Sequence, residues 1–271
     1  MIFSIVDYFN RKLYEVVMPI VQSRGVLSHA RQHGYTVGGF AVDDLSTLTT
    51  LFAAAEETQS PLLLMLSPSN PHVELLAAAV ERGAEQATVP VAVIATEVNH
   101  LDEAVAAVRF GCSGLVVAGG EGLLNEVEEM AQGCGVSVER TLDQRFDTST
   151  DITSQLEQSG AAGQAAAVLD AVERWSPVEH LIIFNANLET EAAYAMMAEG
   201  RRVLSAIPGV RSVFTGEAIQ EQAGYQFTWL VRFCHPAVID SYRDHPDHVA
   251  FADNHFRPVA GDRISIDYRV V

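Results

Sequence analysis

The first half of the chain alternates short apolar runs with longer stretches that have helical periodicity. The apolar runs fall at 35–42, 61–66, 90–95, 114–118 and 135–139, and the helical stretches at 45–58, 72–82, 101–110 and 122–132. Asp44, Asn70 and Asn99 precede three of these stretches and are predicted helix caps. Fully apolar strands that alternate with helices indicate a parallel sheet covered by helices. Five strands are too few for a closed barrel of eight, so the pattern predicts an α/β half-barrel.

The last third of the chain has a period of two instead. The segment "YQFTWLVRF" places five large apolar residues on one side, and "DRISIDYRV" repeats the pattern with Ile264, Ile266, Tyr268 and Val270. Such alternation is typical of half-buried antiparallel strands. With "HLIIFNANL", 210–219 and helical stretches at 191–207 and 236–256, the order is β-α-β-β-α-β. This order predicts a ferredoxin-like α+β domain.

The two patterns divide the chain into four parts. Residues 1–17 form an N-terminal extension whose apolar spacing predicts a short amphipathic helix. The predicted βα domain covers 18–140, and a polar, then small-residue-rich segment at 141–177 is a predicted helical connector. The ferredoxin-like domain covers 178–271.

Composition narrows the possible partners and chemistry. The formal net charge is −18, which should repel nucleic acid and anionic membranes, so neither is an expected partner. Lys12 is the single lysine and lies in the N-terminal extension, which argues against imine-forming catalysis. The three cysteines are widely spaced, without a CxxC pair, and are interpreted as reduced packing residues of a cytoplasmic protein. No cofactor is predicted.

The segment "LSHARQHGYTVGGFAVDDLSTLTTLFAAAEETQSPLLLMLS" resembles the opening of class II, metal-dependent fructose-bisphosphate aldolases. The likeness covers roughly 18–140 and implies a truncated aldolase-like βα domain. The family's catalytic aspartate and a metal-binding histidine align with Thr96 and Glu97, and a metal-binding glutamate aligns with Thr141. Glu97 and His100 offer two ligands of the three that such catalysis needs. We therefore expect a degenerate scaffold or binding unit with no aldolase activity and no metal.

Residues 178–271 resemble the stress-response A/B barrel family, dimeric proteins of ferredoxin-like fold. The likeness rests on "EHLIIF", "IPGVRSVFTGE", "YQFTWLVRF" and "IDSYRDHPDHVAFADNHFRPVAGDRISIDY". It implies a homodimer through this domain, because two sheets of the family pack face to face. Enzymes of the family use a histidine of the first strand and a tyrosine and histidine around "YxxHPxH". These positions match His180, Tyr242 and His248, which are candidate catalytic residues.

The stretch "SYRDHPDHVAF" also has a purely structural interpretation. Pro246 suits the first turn of a helix and Asp247 suits its positive end, so His248 could serve packing alone. A metal site built from His235, His245, His248 and His255 is considered and not predicted. Candidate ligand-binding residues are Trp229, Phe251 and His245.

Three functions stay open at this point. The first is a dimeric A/B barrel protein that binds a small carbonyl-bearing or apolar ligand. The second is a lyase, cyclase or isomerase, in which a histidine takes a proton α to a carbonyl and a tyrosine stabilises the oxyanion. The third is a structural role in assembly. The sequence predicts that an open cavity shared by His180 and His248 would favour the enzyme, whereas a cavity filled by Phe184, Trp229 and Phe251 would count against it.

Overall fold

A computed structural model describes residues 20–140, 142 and 145–269 of the chain. The predicted helix at 1–17, with Lys12, and the aligned position Thr141 lie outside these residues. Residues 20–174 are called the N-terminal unit below, and residues 178–269 the C-terminal unit. Among the described residues, no helix has the length and apolar character needed to span a membrane.

The N-terminal unit is built on a parallel sheet with the strand order β5-β4-β3-β2-β1-β6. Its strands are β1 (Gly39–Ala41), β2 (Leu62–Leu66), β3 (Val91–Val98), β4 (Gly114–Val117), β5 (Ser137–Glu139) and β6 (Arg145–Phe146). Its helices are α1 (Ser23–His33), α2 (Leu45–Thr58), α3 (Val73–Ala84), α4 (Leu101–Arg109), α5 (Glu121–Cys134), α6 (Ile152–Gln158) and α7 (Ala165–Ala171). The predicted parallel βα architecture is confirmed, and the short strand β6 adds to the five expected strands.

One of the three predicted helix caps is observed. Asp44 caps α2, because its carboxylate accepts a hydrogen bond from the backbone N–H of Thr47 at 2.7 Å. The other two expected caps are wrong, since His72 and His100 occupy the N-cap positions of α3 and α4 without a side-chain bond. Asn70 instead accepts from the His72 backbone N–H at 2.8 Å and shapes the preceding turn.

Both faces of the parallel sheet are buried. Helices α2 to α5 pack on the face that includes Leu62, Leu64 and Leu66. Helices α1 and α7 cover the opposite face, which in a closed barrel would point inward, and form a separate cluster with Leu63, Ile94, Val26, Val168 and Val172. The segment at 141–177 therefore contributes β6, α6 and α7 to the packing of the half-barrel.

The C-terminal unit has an antiparallel sheet with the strand order β10-β7-β9-β8. Its strands are β7 (Val178–Ala186), β8 (Val210–Glu217), β9 (Phe227–Phe233) and β10 (Ala260–Arg269). Its helices are α8 (Thr190–Leu204), α9 (Val238–Asp244) and α10 (Pro246–Phe251), and a π-helix (Ala252–Phe256) continues α10. The ferredoxin-like order is confirmed, and strand β9 shows the predicted alternation of buried and half-buried residues.

Strand β10 differs from the expectation of a half-buried strand. Ile264, Ile266 and Tyr268 are 41%, 42% and 47% exposed. The strand lies at the edge of the sheet, and its register places Ile264 opposite Ile183 and Ile266 opposite Leu181. These side chains lie on the face that the helices leave uncovered. Val270, the last predicted member of this set, lies outside the described residues.

The two units are joined by polar and aromatic contacts. Arg211 of β8 forms a bidentate ion pair with Glu81 of α3, with N–O distances of 2.8 and 2.9 Å. Trp175, in the short link between the units, stacks on His235 of the C-terminal unit with ring centroids 4.6 Å apart. Ser241 of α9 donates a hydrogen bond to the carbonyl of Gly133 at 2.7 Å. Through these contacts the two units pack against each other.

The cysteine side chains lie inside the molecule. Cys112, Cys134 and Cys234 are buried, and none of the three is in a disulfide. Burial raises the pKa of the Cys112 thiol to about 12, and a hydrogen bond with Cys134, together with burial, raises the pKa of Cys234. Buried, neutral thiols of this kind act as small apolar packing groups.

Candidate functional site

His180 lies on β7 and is held by a carboxylate from the neighbouring strand. Asp267 of β10 is its direct cross-strand partner, and the distance from His180 Nδ1 to Asp267 Oδ1 is 2.7 Å. An ionised carboxylate only accepts hydrogen bonds, so Nδ1 carries the proton in this pair. Nε2 of the neutral ring is then left as the acceptor. The pair resembles the base-and-orienter arrangement of general acid–base sites.

Tyr242 of α9 lies beside His180, at a ring-centroid distance of 6.3 Å. Its ring also packs on Phe233 at 4.9 Å, and the residue is 4% exposed. Burial raises the pKa of Tyr242 far above its ordinary value of 10.0. The hydroxyl therefore stays protonated at neutral pH and can donate a hydrogen bond.

His248 of α10 completes this group, with its ring centroid 4.4 Å from that of Tyr242. Its Nδ1 lies 2.9 Å from the carbonyl oxygen of Arg243, which only accepts, so Nδ1–H donates and Nε2 is again free of the proton. Burial lowers the pKa of His248. His180, Tyr242, His248 and Asp267 are called the histidine cluster below.

The predicted helix entry is what brings Tyr242 and His248 together. Pro246 stands at the first turn of α10, and His245 is the N-cap, whose Nδ1 accepts from the Asp247 backbone N–H at 3.2 Å. The extended backbone of His245 separates α9 from α10. This turn places His248 over the ring of Tyr242.

The aromatic ligand candidates lie in the core. Phe184, Trp229 and Phe251 are 0%, 2% and 5% exposed, and together they fill the space between sheet and helices. The indole of Trp229 packs edge-on against Phe251 at 5.8 Å. Within the described residues, the buried Nε1 of Trp229 has no hydrogen-bond partner. A buried donor without an acceptor costs about 1–3 kcal/mol. The filling of this space by Phe184, Trp229 and Phe251 is the arrangement that counts against the enzyme predicted as one of the three functions.

His245 lies apart from the other predicted residues. It lines a cavity of about 400 Å³ between α4 and α5 of the N-terminal unit and α9 of the C-terminal unit. The structure thus brings His180, Tyr242 and His248 together, places Trp229 and Phe251 in the core, and directs His245 to a different surface.

Sequence reasoning missed Asp267 as a site residue. The alternation of "DRISIDYRV" already placed it on the side opposite Ile264 and Ile266. The position of that strand next to β7 was the information that the sequence lacked, because it depends on pairing between segments far apart in the chain.

The carboxyl edge of the parallel sheet does not fit the divalent metal that the aldolase resemblance implies. Thr96 is buried, and Glu97 adopts a left-handed backbone (φ 60°) with its carboxylate 3.7 Å from Arg145. His100 is exposed at the N-cap of α4. Across residues 20–140, 142 and 145–269, no three His, Cys, Asp or Glu side chains are grouped as metal ligands. The set His235, His245, His248 and His255 is likewise dispersed.

Comparison with known proteins agrees with this architecture. The family model for class-II fructose-bisphosphate aldolase matches residues 21–174, and the stress responsive A/B barrel domain matches residues 178–270. The sulfofructosephosphate aldolase of Alkalicoccus urumqiensis is 25% identical over 146 residues, which are 50% of this chain and 51% of that protein. The chain therefore spans about half the length of this curated relative.

Solved structures resemble each unit separately. A Dabb family protein with a ferredoxin-like fold from Mesorhizobium loti is 26% identical over 35% of this chain and 98% of its own, with a TM-score of 0.34. The YdjI aldolase from Escherichia coli K12 is 21% identical over 52% of this chain and 59% of its own, with a TM-score of 0.42. The chain belongs to the class-II fructose-bisphosphate aldolase family through residues 21–174 and carries a stress responsive A/B barrel domain at residues 178–270.

Proposed function

We propose that the protein binds a small carbonyl-bearing ligand at the histidine cluster of its A/B barrel domain. The observation that carries this proposal is the position of the Tyr242 ring between two histidines. Its ring centroid lies 6.3 Å from that of His180 and 4.4 Å from that of His248. A buried hydroxyl donor between two polar rings suits a carbonyl oxygen, whose acceptor capacity must be met on burial.

The aldolase-like unit serves in this proposal as a scaffold without aldolase activity. Thr96 and Glu97 stand where the resemblance places a catalytic aspartate and a metal ligand. The ion pair of Glu97 with Arg145 further ties up the one carboxylate at that position. We take the boundary between the two domains to lie at 177, with the segment at 141–177 packed on the half-barrel. The buried, unbonded cysteines suit a reducing compartment, so we place the protein in the cytoplasm.

A homodimer through the C-terminal sheet belongs to the same proposal. The uncovered face carries Leu181, Ile183, Leu230, Phe214, Ile264, Ile266 and Tyr268, as the strand register shows. A large apolar face of a sheet is unfavourable in water and needs a cover. A second copy of the same sheet, related by a two-fold axis, would provide one.

Ligand-dependent thermal unfolding tests the binding site, with cyclohexanone and acetophenone as probes. A ligand at about ten times its dissociation constant stabilises the folded state by about 1.4 kcal/mol. In a chain of this size, that raises the Tm by about 3–5 °C. We expect this rise in Tm in the wild type. We expect His248→Ala to lose it, because removing the imidazole ring opens the cluster.

His255→Ala is the matched control, since this histidine stacks on Phe251 outside the cluster. It should keep the full ligand-induced shift. An equal response in all three proteins would contradict a site at His248, and no response to either ketone in the wild type would favour the purely structural role.

Acid–base catalysis at the same cluster is the second candidate, and the Asp267–His180 pair favours it. Nε2 of a histidine would remove a proton α to the carbonyl, while the Tyr242 hydroxyl donates to the developing enolate oxygen. The proton then returns to carbon from the same ring or from solvent. Return of the proton completes an isomerase step. In a lyase step the enolate would instead expel a β-substituent, and in a cyclase step its carbon would attack a second carbonyl of the same ligand, whose oxygen takes up the proton.

Exchange of the α-protons of cyclohexanone with D₂O, followed by NMR, measures this step directly. If His248 is the base, burial lowers its pKa, so that its basic form persists as pH falls through 6.5 and the exchange rate should hold there and decline only at lower pH. Asp267→Asn should slow the exchange by about tenfold to a hundredfold, since it removes the group that fixes His180. Exchange no faster than in buffer would exclude this candidate.

A further inference from the structure

The cavity lined by His245 lies between the two units, away from the histidine cluster. Its volume is about 400 Å³, which is in the size range of small-molecule sites. The floor is apolar and comes from both units: Leu101, Val105, Met130, Cys134, Ile207 and Pro208. The cavity therefore depends on the packing of α4 and α5 against the α8–β8 turn and α9.

The mouth of this cavity carries two carboxylates without partners. Glu126 and Glu129 are separated by three positions on α5, so their side chains share one face of the helix. Both are exposed, and neither forms an ion pair or hydrogen bond within the described part of the chain. The opposite wall holds Ser241, whose hydroxyl donates to the Gly133 carbonyl, and His245. Among the residues that the structure describes, no arginine lines the cavity.

We propose that this cavity binds organic ammonium ions with an apolar body. The hydrocarbon part would pack on the apolar floor, and the ammonium group would lie between Glu126 and Glu129. Two unpaired carboxylates attract a cation and repel an anion of the same shape, and the net charge of −18 adds to this selectivity. The site is independent of the carbonyl site, because none of the histidine cluster lines it.

Isothermal titration of the full chain with three probes of equal length tests the charge preference. These probes are n-hexylammonium, 1-hexanol and hexanoate. The expected order of affinity is ammonium, then alcohol, then carboxylate, with about a tenfold gap between the first two at low salt. Raising the ionic strength should close that gap, because exposed charges are screened.

Single substitutions then locate the binding site. Glu126→Gln and Glu129→Gln should each weaken hexylammonium binding by about threefold to tenfold while leaving hexanol binding unchanged. Glu128→Gln is the matched control, since it removes the same charge from the same helix outside the cavity. Val105→Trp fills the floor and should weaken both hexylammonium and hexanol.

Several results would overturn the proposal. These are equal affinity for hexylammonium and hexanoate, no measurable binding of hexylammonium, or an equal loss in Glu128→Gln and Glu126→Gln. Binding that survives Val105→Trp unchanged would also place the ammonium site elsewhere. Because the substitutions at Glu126, Glu128 and Glu129 are exposed and nearly isosteric, folding of these variants is expected to be unaffected.

Discussion

At the scale of single residues, the two histidines of the cluster share one arrangement. Each has its Nδ1 occupied by an oxygen that only accepts, Asp267 for His180 and the Arg243 carbonyl for His248. Each therefore exposes Nε2 as its free acceptor. With the Nδ1–H of each histidine engaged in this way, the hydroxyl of Tyr242 is the donor that the group can offer to a ligand. These hydrogen-bond partners determine which ring nitrogen carries the proton, and therefore which atoms of the cluster can accept a proton from a ligand.

Gly200 in α8 shows how tightly the aromatic core is packed. A Cβ built at this position would lie 2.3 Å from Trp229 and 2.5 Å from Phe251. Gly200→Ala should therefore lower the free energy of unfolding by about 1–3 kcal/mol through overpacking. Urea unfolding followed by tryptophan fluorescence and circular dichroism measures this change.

The same substitution in open surroundings is the control. Gly122 lies in α5 with nothing within 4 Å of a built Cβ, so Gly122→Ala should stabilise the chain by up to about 1 kcal/mol through helix propensity. A stabilising Gly200→Ala would mean that the space beside Trp229 and Phe251 is open. It would then revive these residues as the walls of a ligand cavity.

At the scale of elements, α7 has a larger part than its length of seven residues suggests. It shields the face of the parallel sheet that a closed barrel would line with its other strands. Val168 is 0% exposed and packs in the cluster that contains Leu63 and Ile94. Helix α7, which follows β5 in the chain, thus covers the sheet face that the absent half of a closed barrel would otherwise cover.

A charge placed on the buried side of α7 tests this role. Val168→Asp should lower the free energy of unfolding by about 3 kcal/mol or more, because it buries an unpaired carboxylate. Ala167→Asp, on the exposed side of the same helix, should change it by about 0.5 kcal/mol. Equal effects in chemical denaturation would show that α7 does not cover the sheet in solution.

The sequence predicted the elements better than their neighbours. Periodicity located five strands and four helices of the N-terminal unit and the β-α-β-β-α-β chain order of the C-terminal unit, but not helix α1. Strand β6 escaped, because two residues in a polar segment carry no periodic signal. The sequence also did not predict the role of Asp267 or the covering of the parallel sheet by α7, since both depend on contacts between distant segments. His180, Tyr242 and His248 were found through the family resemblance, whereas the filling of the core by Trp229 and Phe251 became evident from packing.

At the scale of the whole molecule, the contacts between the units are those of a shared interior. Arg211 and Glu81 have side chains that are only 15% and 26% exposed, and Arg211 also donates to the carbonyl of Arg109 at 3.3 Å. Removing either partner would leave a half-buried charge unpaired. The units are therefore expected to keep a fixed relative position, which the cavity beside Glu126 and Glu129 requires.

The uncovered face of the C-terminal sheet makes the last prediction. Ile266 lies on that face at 42% exposure, opposite Leu181 of the central strand β7. If a second copy covers the sheet, Ile266→Glu buries like charges across a two-fold axis and should convert the dimer to a monomer. Ser265→Glu adds the same charge to the same strand on the other side and should leave the dimer intact. Analytical ultracentrifugation at micromolar concentration distinguishes these outcomes, and a monomeric wild type would refute the proposed dimer, since the apolar face would then stand open to water.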